Sequence, residues 1–155
     1  MTDSLSFTVT DATPADAGAI ADCNVRLAAE TEDHPLDPAT VRAGVAALLA
    51  DRAKGRYFVA RGPGGGVVGQ LMVTTEWSDW RNGPFWWVQS VYVHRDHRGR
   101  GVFRALLGHA AGAAREAGAV GLRLYVEQDN AAAQETYRRC GFARTPYQIW
   151  ERAAG

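Results

Sequence analysis

Cysteine is scarce in this chain: Cys23 and Cys140 stand alone with no Cys-x-x-Cys spacing, so neither a disulfide framework nor a cysteine zinc site is indicated. Two buried thiols in a reducing compartment are expected instead. Long apolar runs are also missing. No stretch approaches the roughly 20 residues that a membrane-spanning helix needs. Met1 to Ser6 has no basic segment leading into an apolar one, and a cytoplasmic protein is expected. Net charge is absent too, with 17 lysines and arginines against 17 aspartates and glutamates. No overall field therefore draws the protein to nucleic acid or to an anionic membrane. There is no internal repeat and no low-complexity tract beyond the local bias of Gly62 to Gly66.

What is present suits a single domain over residues 1–155, because 155 residues with 46% hydrophobic content are enough for one real core. Leu5 to Thr10 alternates like a strand. Thr13, Pro14 and Asp16 form a helix-start pattern, followed by an apolar side through Ala17, Ile20, Ala21, Leu27 and Ala28 that fades at Thr31 to Asp33, before His34-Pro35. Asp37-Pro38 repeats the signal ahead of Val41, Val45, Leu48 and Leu49. Tyr57 to Ala60 and Val67 to Val73 read as strands joined by a glycine-rich hairpin loop. Phe85 to Val93 is a further strand, apolar on both sides and so central. Val102 to Ala117 has a helical period ending at Gly118, and Leu122 to Val126 is a strand. Asn130 opens a helix carrying Ala133, Tyr137 and Cys140, and Phe142 to Trp150 reads as a last strand broken at Pro146. The order implies an α/β (α+β) domain with a mixed sheet.

The segment Val91-Tyr92-Val93-His94-Arg95-Asp96-His97-Arg98-Gly99-Arg100-Gly101-Val102 takes a strand through a glycine turn directly into a helix. The first amides of a helix lack internal partners, the helix dipole adds positive charge, and glycine lets the backbone approach a diphosphate closely. Arg98 and Arg100, with Arg95 and Arg104, add cationic donors. A tight turn with solvated arginines is the bland alternative, and the position after a central strand argues against it. The arginines do not extend into a basic stripe with interleaved aromatics, as single-strand nucleic-acid binding would need. His94 and His97 lack a convergent third ligand, so no metal is expected. A dinucleotide fingerprint would place its glycines after the first strand of a βαβ unit.

These residues resemble the acyl-CoA signature of the GNAT superfamily: Gln or Arg, two residues, Gly, one residue, then Gly or Ala. Arg98 and Gly101 match, and Phe103 departs from the third fixed position. Asn130-x-x-Ala133-x-x-x-Tyr137-x-x-x-Gly141-Phe142 is similar to the motif that follows the family's fifth strand. The resemblance implies a mixed, mostly antiparallel sheet of about six to seven strands flanked by four helices. It implies acetyl-CoA as acyl donor, held by Val91, Tyr92, Val93, Arg98, Gly99, Arg100, Gly101, Val102, Phe103, Asn130 and Tyr137. It further implies direct attack by an amine of a small molecule or protein, with the Val91 amide facing the oxyanion and the Tyr137 hydroxyl protonating the thiolate.

The general base stays open. The strand position that often carries a carboxylate in related enzymes is Gln89, which cannot serve as a base. Glu30 and Glu127 rank first among the carboxylates, ahead of Glu32, Glu76 and Asp79. On the acceptor side stand Gln89, Asp79, Trp80 and Trp87. Trp77 and Trp80, in a polar turn, are less easily explained by core packing alone, and a role as acceptor or homodimer contacts is as good a reading. A non-catalytic acyl-CoA sensor is the competing reading, motivated by Gln89 and Phe103.

Overall fold

The computed structural model describes residues 6–31 and 35–155. Leu5, Glu32, Asp33 and His34, which entered the sequence reading, lie outside the described residues. The elements run β1 (Thr8–Asp11), α1 (Ala17–Thr31), α2 (Pro38–Ala50), β2 (Arg56–Arg61), β3 (Val67–Ser78), β4 (Gly83–Val93), α3 (Val102–Glu116), β5 (Gly121–Leu124) and α4 (Ala131–Arg139). The chain divides into two compact units, Met1–Tyr125 and Val126–Gly155. The first carries the sheet with α1, α2 and α3; the second carries α4 and the tail.

The helix starts follow their sequence signals. A short 3-10 turn at Pro14–Asp16 leads into α1, and the Thr13 amide donates to the Asp16 carboxylate at 2.8 Å. Asp37 caps α2 by accepting from the Thr40 amide at 3.2 Å, with Pro38 at the first helical position.

The sheet is mixed, in the order β1-β2-β3-β4-β5, antiparallel throughout except that β5 runs parallel to β4. Because successive strand residues point to opposite faces, Tyr57 and Val59 of β2 pack with Ile20, Ala21, Val45 and Leu48 of α1 and α2. Phe58 points the other way and meets His109 of α3 edge-on, with ring centres 5.1 Å apart. Leu106, Ala110 and Val102 of α3 are buried on that second face. Fully burying a side chain such as Leu106 contributes about 1.5–3 kcal/mol, so these two apolar layers dominate the stability of the first unit.

The α/β class and the four helices agree with the sequence reading, but the strand number does not: the described residues form five strands, not six to seven. Phe142 to Trp150 forms none. Pro146 removes a ladder donor from the middle of that segment, which breaks any continuous strand across it. β5 ends at Leu124 instead of Val126, and β1 extends to Asp11. Cys23 is buried, as expected, whereas Cys140 is only partly so. Burial pushes the Cys23 thiol up to about 11, which keeps it protonated and unreactive.

Candidate active site

The β3–β4 ladder is regular from both ends but breaks at one point. Met72 pairs with Ser90 and Val73 with Val88, which leaves Gln89 as the extra residue of a bulge. A bulged residue is released from the ladder. Gln89 uses its side chain to bridge outward, donating to Thr74 Oγ1 at 2.8 Å and accepting from the Tyr125 hydroxyl at 3.3 Å. Trp87 lies beside Tyr125, with ring centres 6.2 Å apart.

Beyond the bulge the backbone of β4 has a defined handedness of presentation. The His94 amide donates to the Val68 carbonyl at 2.8 Å, so residue 94 turns its polar groups toward β3. Alternation in an antiparallel ladder then turns Tyr92 the same way and Val91 and Val93 the opposite way. β5 pairs only with Phe85 to Val88, so it does not cover that edge. Val91 and Val93 thus present backbone groups along an edge of β4 that β5 does not pair. The Val93 carbonyl is taken by Arg98 Nε at 2.9 Å.

The turn that follows opens α3. Gly99 and Gly101 both have left-handed φ, at 75° and 83°, and a Cβ built on either meets nothing within 4 Å. The loop surface there is open to a large ligand. The first helical hydrogen bond runs from Ala105 N–H to the Gly101 carbonyl at 3.0 Å, so helix geometry leaves the Val102 and Arg104 amides without an intrahelical acceptor. Arg95, Arg98, Arg100 and Arg104 are exposed around this end of α3, and Phe103 is half-buried on its first turn. The helix can approach the sheet because of Gly69 in β3. A Cβ at that position would lie 3.0 Å from the Tyr92 carbonyl, 3.2 Å from Val102 and 3.3 Å from Leu106. Open left-handed glycines, helix-start amides and clustered arginines together fit a diphosphate.

The remaining predicted residues fall in different places. Glu30, at the end of α1, accepts from the Tyr92 hydroxyl at 3.0 Å and from Arg98 Nη2 at 2.6 Å. The Arg98 guanidinium beside it, with help from Tyr92, holds its carboxyl below the usual carboxylate range. Both oxygens of Glu30, an expected candidate base, are thus engaged by Tyr92 and Arg98. Asp79 and Trp80 sit in the exposed β3–β4 turn, with Trp80 at 90% exposure; Trp77, at 64%, belongs to β3 itself.

In the second unit, Asn130 caps α4 by accepting from the Ala133 amide at 3.1 Å. Tyr137 packs edge-on against Phe142 at 6.0 Å, and burial raises its phenol above the ordinary value. Glu127 is exposed, and its carbonyl accepts from Gln134. Among the described residues no cluster of three or more histidines, cysteines or carboxylates is placed to hold a metal. No helix among them is long and apolar enough to cross a membrane.

One polar group escaped the sequence reading. Gln70, in the middle of an apolar strand, is 0% exposed and donates to Asn24 Oδ1 at 2.9 Å and to Ser90 Oγ at 3.4 Å. Its presence inside the run from Val67 to Val73 was the available signal, since a buried amide demands partners.

Comparison with known proteins finds relatives over nearly the whole chain. The family model described as Acetyltransferase (GNAT) family matches residues 23–142. Aminoglycoside N(6')-acetyltransferase type 1 of Stenotrophomonas maltophilia is 33% identical over 94% of this chain and 92% of its own length. Streptothricin acetyltransferase of Streptomyces lavendulae is 42% identical over 59% of this chain, a match that spans 46% of that relative. The crystal structure of a possible acetyltransferase from Clostridium difficile 630 superposes with a TM-score of 0.90 at 40% identity, covering 96% of this chain and 97% of that one.

Proposed function

The chain belongs to the Acetyltransferase (GNAT) family, whose chemistry is acetyl transfer from acetyl-CoA to an amine, and from that premise we propose that it acetylates a primary amine of a small cationic acceptor. The observation that carries this reading is the turn Arg98 to Gly101, which opens α3 directly after the part of β4 that β5 leaves unpaired. An anion at the helix start and an extended arm along the strand edge suit the two halves of coenzyme A. In this reading Val91, Tyr92, Val93, Arg98, Gly99, Arg100, Gly101, Val102 and Phe103 form the coenzyme region of the first unit, and Asn130 is a proposed coenzyme contact of the second. The Val91 carbonyl and the Val93 amide meet the pantetheine arm, which leaves the Val91 amide for the acyl group.

The reaction proceeds by direct attack in a ternary complex. The neutral amine adds to the thioester carbonyl, the Val91 amide donates to the developing oxyanion, and the tetrahedral intermediate collapses as the C–S bond breaks. Tyr137 donates its proton to the departing thiolate. For the amine's own proton the reading keeps Glu127 as the candidate base, acting through water, because the other carboxylate ranked with it, Glu30, is ion-paired with Arg98. Gln89, Trp87, Asp79 and Trp80 line the acceptor side, where aromatic faces and a carboxylate favour a cation. The exposure of Trp77 and Trp80 supports contact with either the acceptor or a second copy of the chain. The names of two relatives, an aminoglycoside and a streptothricin acetyltransferase, support a small-molecule acceptor over a protein. The reading is of a cytoplasmic enzyme that works without metal, nucleic acid or membrane.

The test is thiol release from acetyl-CoA with a panel of aminoglycosides, streptothricin-type amines, polyamines and peptide N-termini. Turnover well above thioester hydrolysis with at least one small amine is expected. Coenzyme binding without turnover on any amine would favour an acyl-CoA sensor, a reading that Gln89 in place of a carboxylate supports. Absence of coenzyme binding would remove both.

A further inference from the structure

The signature places Arg98 on the phosphate-gripping turn, but its side chain is directed elsewhere. Nη2 lies 2.6 Å from Glu30 Oε2, and Nε donates to the Val93 carbonyl at 2.9 Å. The guanidinium carbon stands 5.5 Å from the centre of the Tyr92 ring, and the Tyr92 hydroxyl donates to the other oxygen of Glu30 at 3.0 Å. These contacts close a ring through three elements: the last turn of α1, the end of β4 and the turn that leads into α3.

We propose that Glu30 and Tyr92 are positioning residues for acetyl-CoA, holding the Arg98 guanidinium against β4 so that the Gly99 to Gly101 backbone is preset to receive the diphosphate. The inference rests on the acetyl-CoA reading above. A planar guanidinium with one donor on a backbone carbonyl and another on a carboxylate is fixed in rotation as well as in place. Two left-handed glycines follow, and glycine loses more conformational freedom on ordering than any other residue. Anchoring the residue before them lowers the ordering that binding must otherwise impose. The diphosphate is left to the backbone amides, with Arg100 and Arg104 as cationic neighbours.

The size of the effect is bounded by exposure. The Arg98 and Glu30 side chains keep 48% and 39% of their surface accessible, and exposed pairs contribute little individually. Removing the ring of contacts should therefore weaken coenzyme binding by about threefold to tenfold, not abolish it. The opposite model is a competition, in which Glu30 occupies the guanidinium until phosphate displaces it. That model gives the opposite sign, because deleting Glu30 would tighten binding.

Two measurements decide the matter: calorimetric titration of acetyl-CoA, and millisecond hydrogen exchange at residues 98–104 in the free protein. The set is wild type, Glu30→Ala, Tyr92→Phe, Arg98→Ala and the Glu30→Ala/Arg98→Ala double variant, each checked for an unchanged urea midpoint. Glu30→Ala should weaken binding by about threefold to tenfold and speed exchange at Gly99 to Val102, with Tyr92→Phe in the same direction but smaller. On the Arg98→Ala background, Glu30→Ala should change neither quantity. Tighter or unchanged binding in Glu30→Ala, or additive losses in the double variant, would overturn the proposal. Wild type that binds no acetyl-CoA would sink the functional reading instead. Exchange unaffected by Glu30→Ala would overturn the positioning role even then.

Discussion

Gln70 of β3, itself fully buried, donates its side-chain amide to the half-buried Asn24 of α1 at 2.9 Å, a hydrogen bond that ties the helix to the middle of the sheet. Asn24 continues the chain by donating to the Tyr57 hydroxyl at 3.3 Å. Removing one partner of a buried hydrogen bond leaves the other unsatisfied, a penalty of about 1–3 kcal/mol. Gln70→Ala adds a cavity and should lower stability by about 2–4 kcal/mol, whereas Gln70→Met, which keeps the volume, should cost less. Gln70→Glu should depend on pH. Burial raises the carboxyl's folded pKa above its unfolded value, so the variant is most stable in acid and loses stability as pH rises through the folded value. Urea midpoints at pH 5 and pH 8 check this ranking, and a Gln70→Glu protein more stable at pH 8 would contradict it.

Asp16 provides a pH dependence of the opposite sign. Both its oxygens accept from Arg61, at 2.9 and 2.7 Å, and that pairing, foremost, holds its carboxyl below the usual aspartate range. A depressed folded pKa contributes stability that is present above the unfolded value and disappears as pH falls through the folded one. Asp16→Asn should therefore lower stability at pH 7 by about 1–3 kcal/mol and have a much smaller effect near pH 2. Thermal unfolding midpoints of the two proteins across that range should converge in acid.

The parts of the fold that were legible in the sequence are those where local signals and burial agree. Thr13-Pro14-x-Asp16 and Asp37-Pro38 mark real helix starts because the capping atoms are within a few residues of their targets. The glycine turn before α3 was legible for the same reason. Phe142 to Trp150 was not: its alternation resembles a strand, but strand formation needs a partner ladder, and periodicity carries no information about one. Glu30 was legible as an acidic residue and not as an ion-pair partner, since Arg98 lies 68 positions away. The bulge at Gln89 was equally hidden, because a slip in register between β3 and β4 is a property of two segments and neither one alone encodes it.

Tyr137→Phe separates a catalytic hydroxyl from a packing ring, because the ring that meets Phe142 is retained and only the hydroxyl is lost. The leaving thiolate has a pKa near 8.5, so general-acid help is useful without being decisive. Turnover should fall by about tenfold to hundredfold, at the low end for proton transfer, with acetyl-CoA affinity changed by less than about threefold. Burial raises the phenol above its usual 10, so the group stays protonated across neutral pH. Loss of activity from its ionisation in the wild type should appear only above pH 10. Equal losses in turnover and affinity would assign Tyr137 to packing.

Gly101→Ala tests the turn on which the functional reading stands. At φ 83° an L-residue is strained by about 1–2 kcal/mol, although the added methyl would meet nothing within 4 Å. Sterics inside the protein therefore do not oppose the change, and the fold should lose no more than that amount. A bound diphosphate would be opposed in two ways: the backbone relaxes away from the left-handed region, which turns the Val102 amide, and the methyl occupies the space through which the ligand approaches. Acetyl-CoA affinity should fall by about tenfold to hundredfold, well beyond the stability change. Calorimetric titration alongside urea unfolding compares the two losses directly. Undiminished affinity in a folded Gly101→Ala protein would move the diphosphate away from the start of α3.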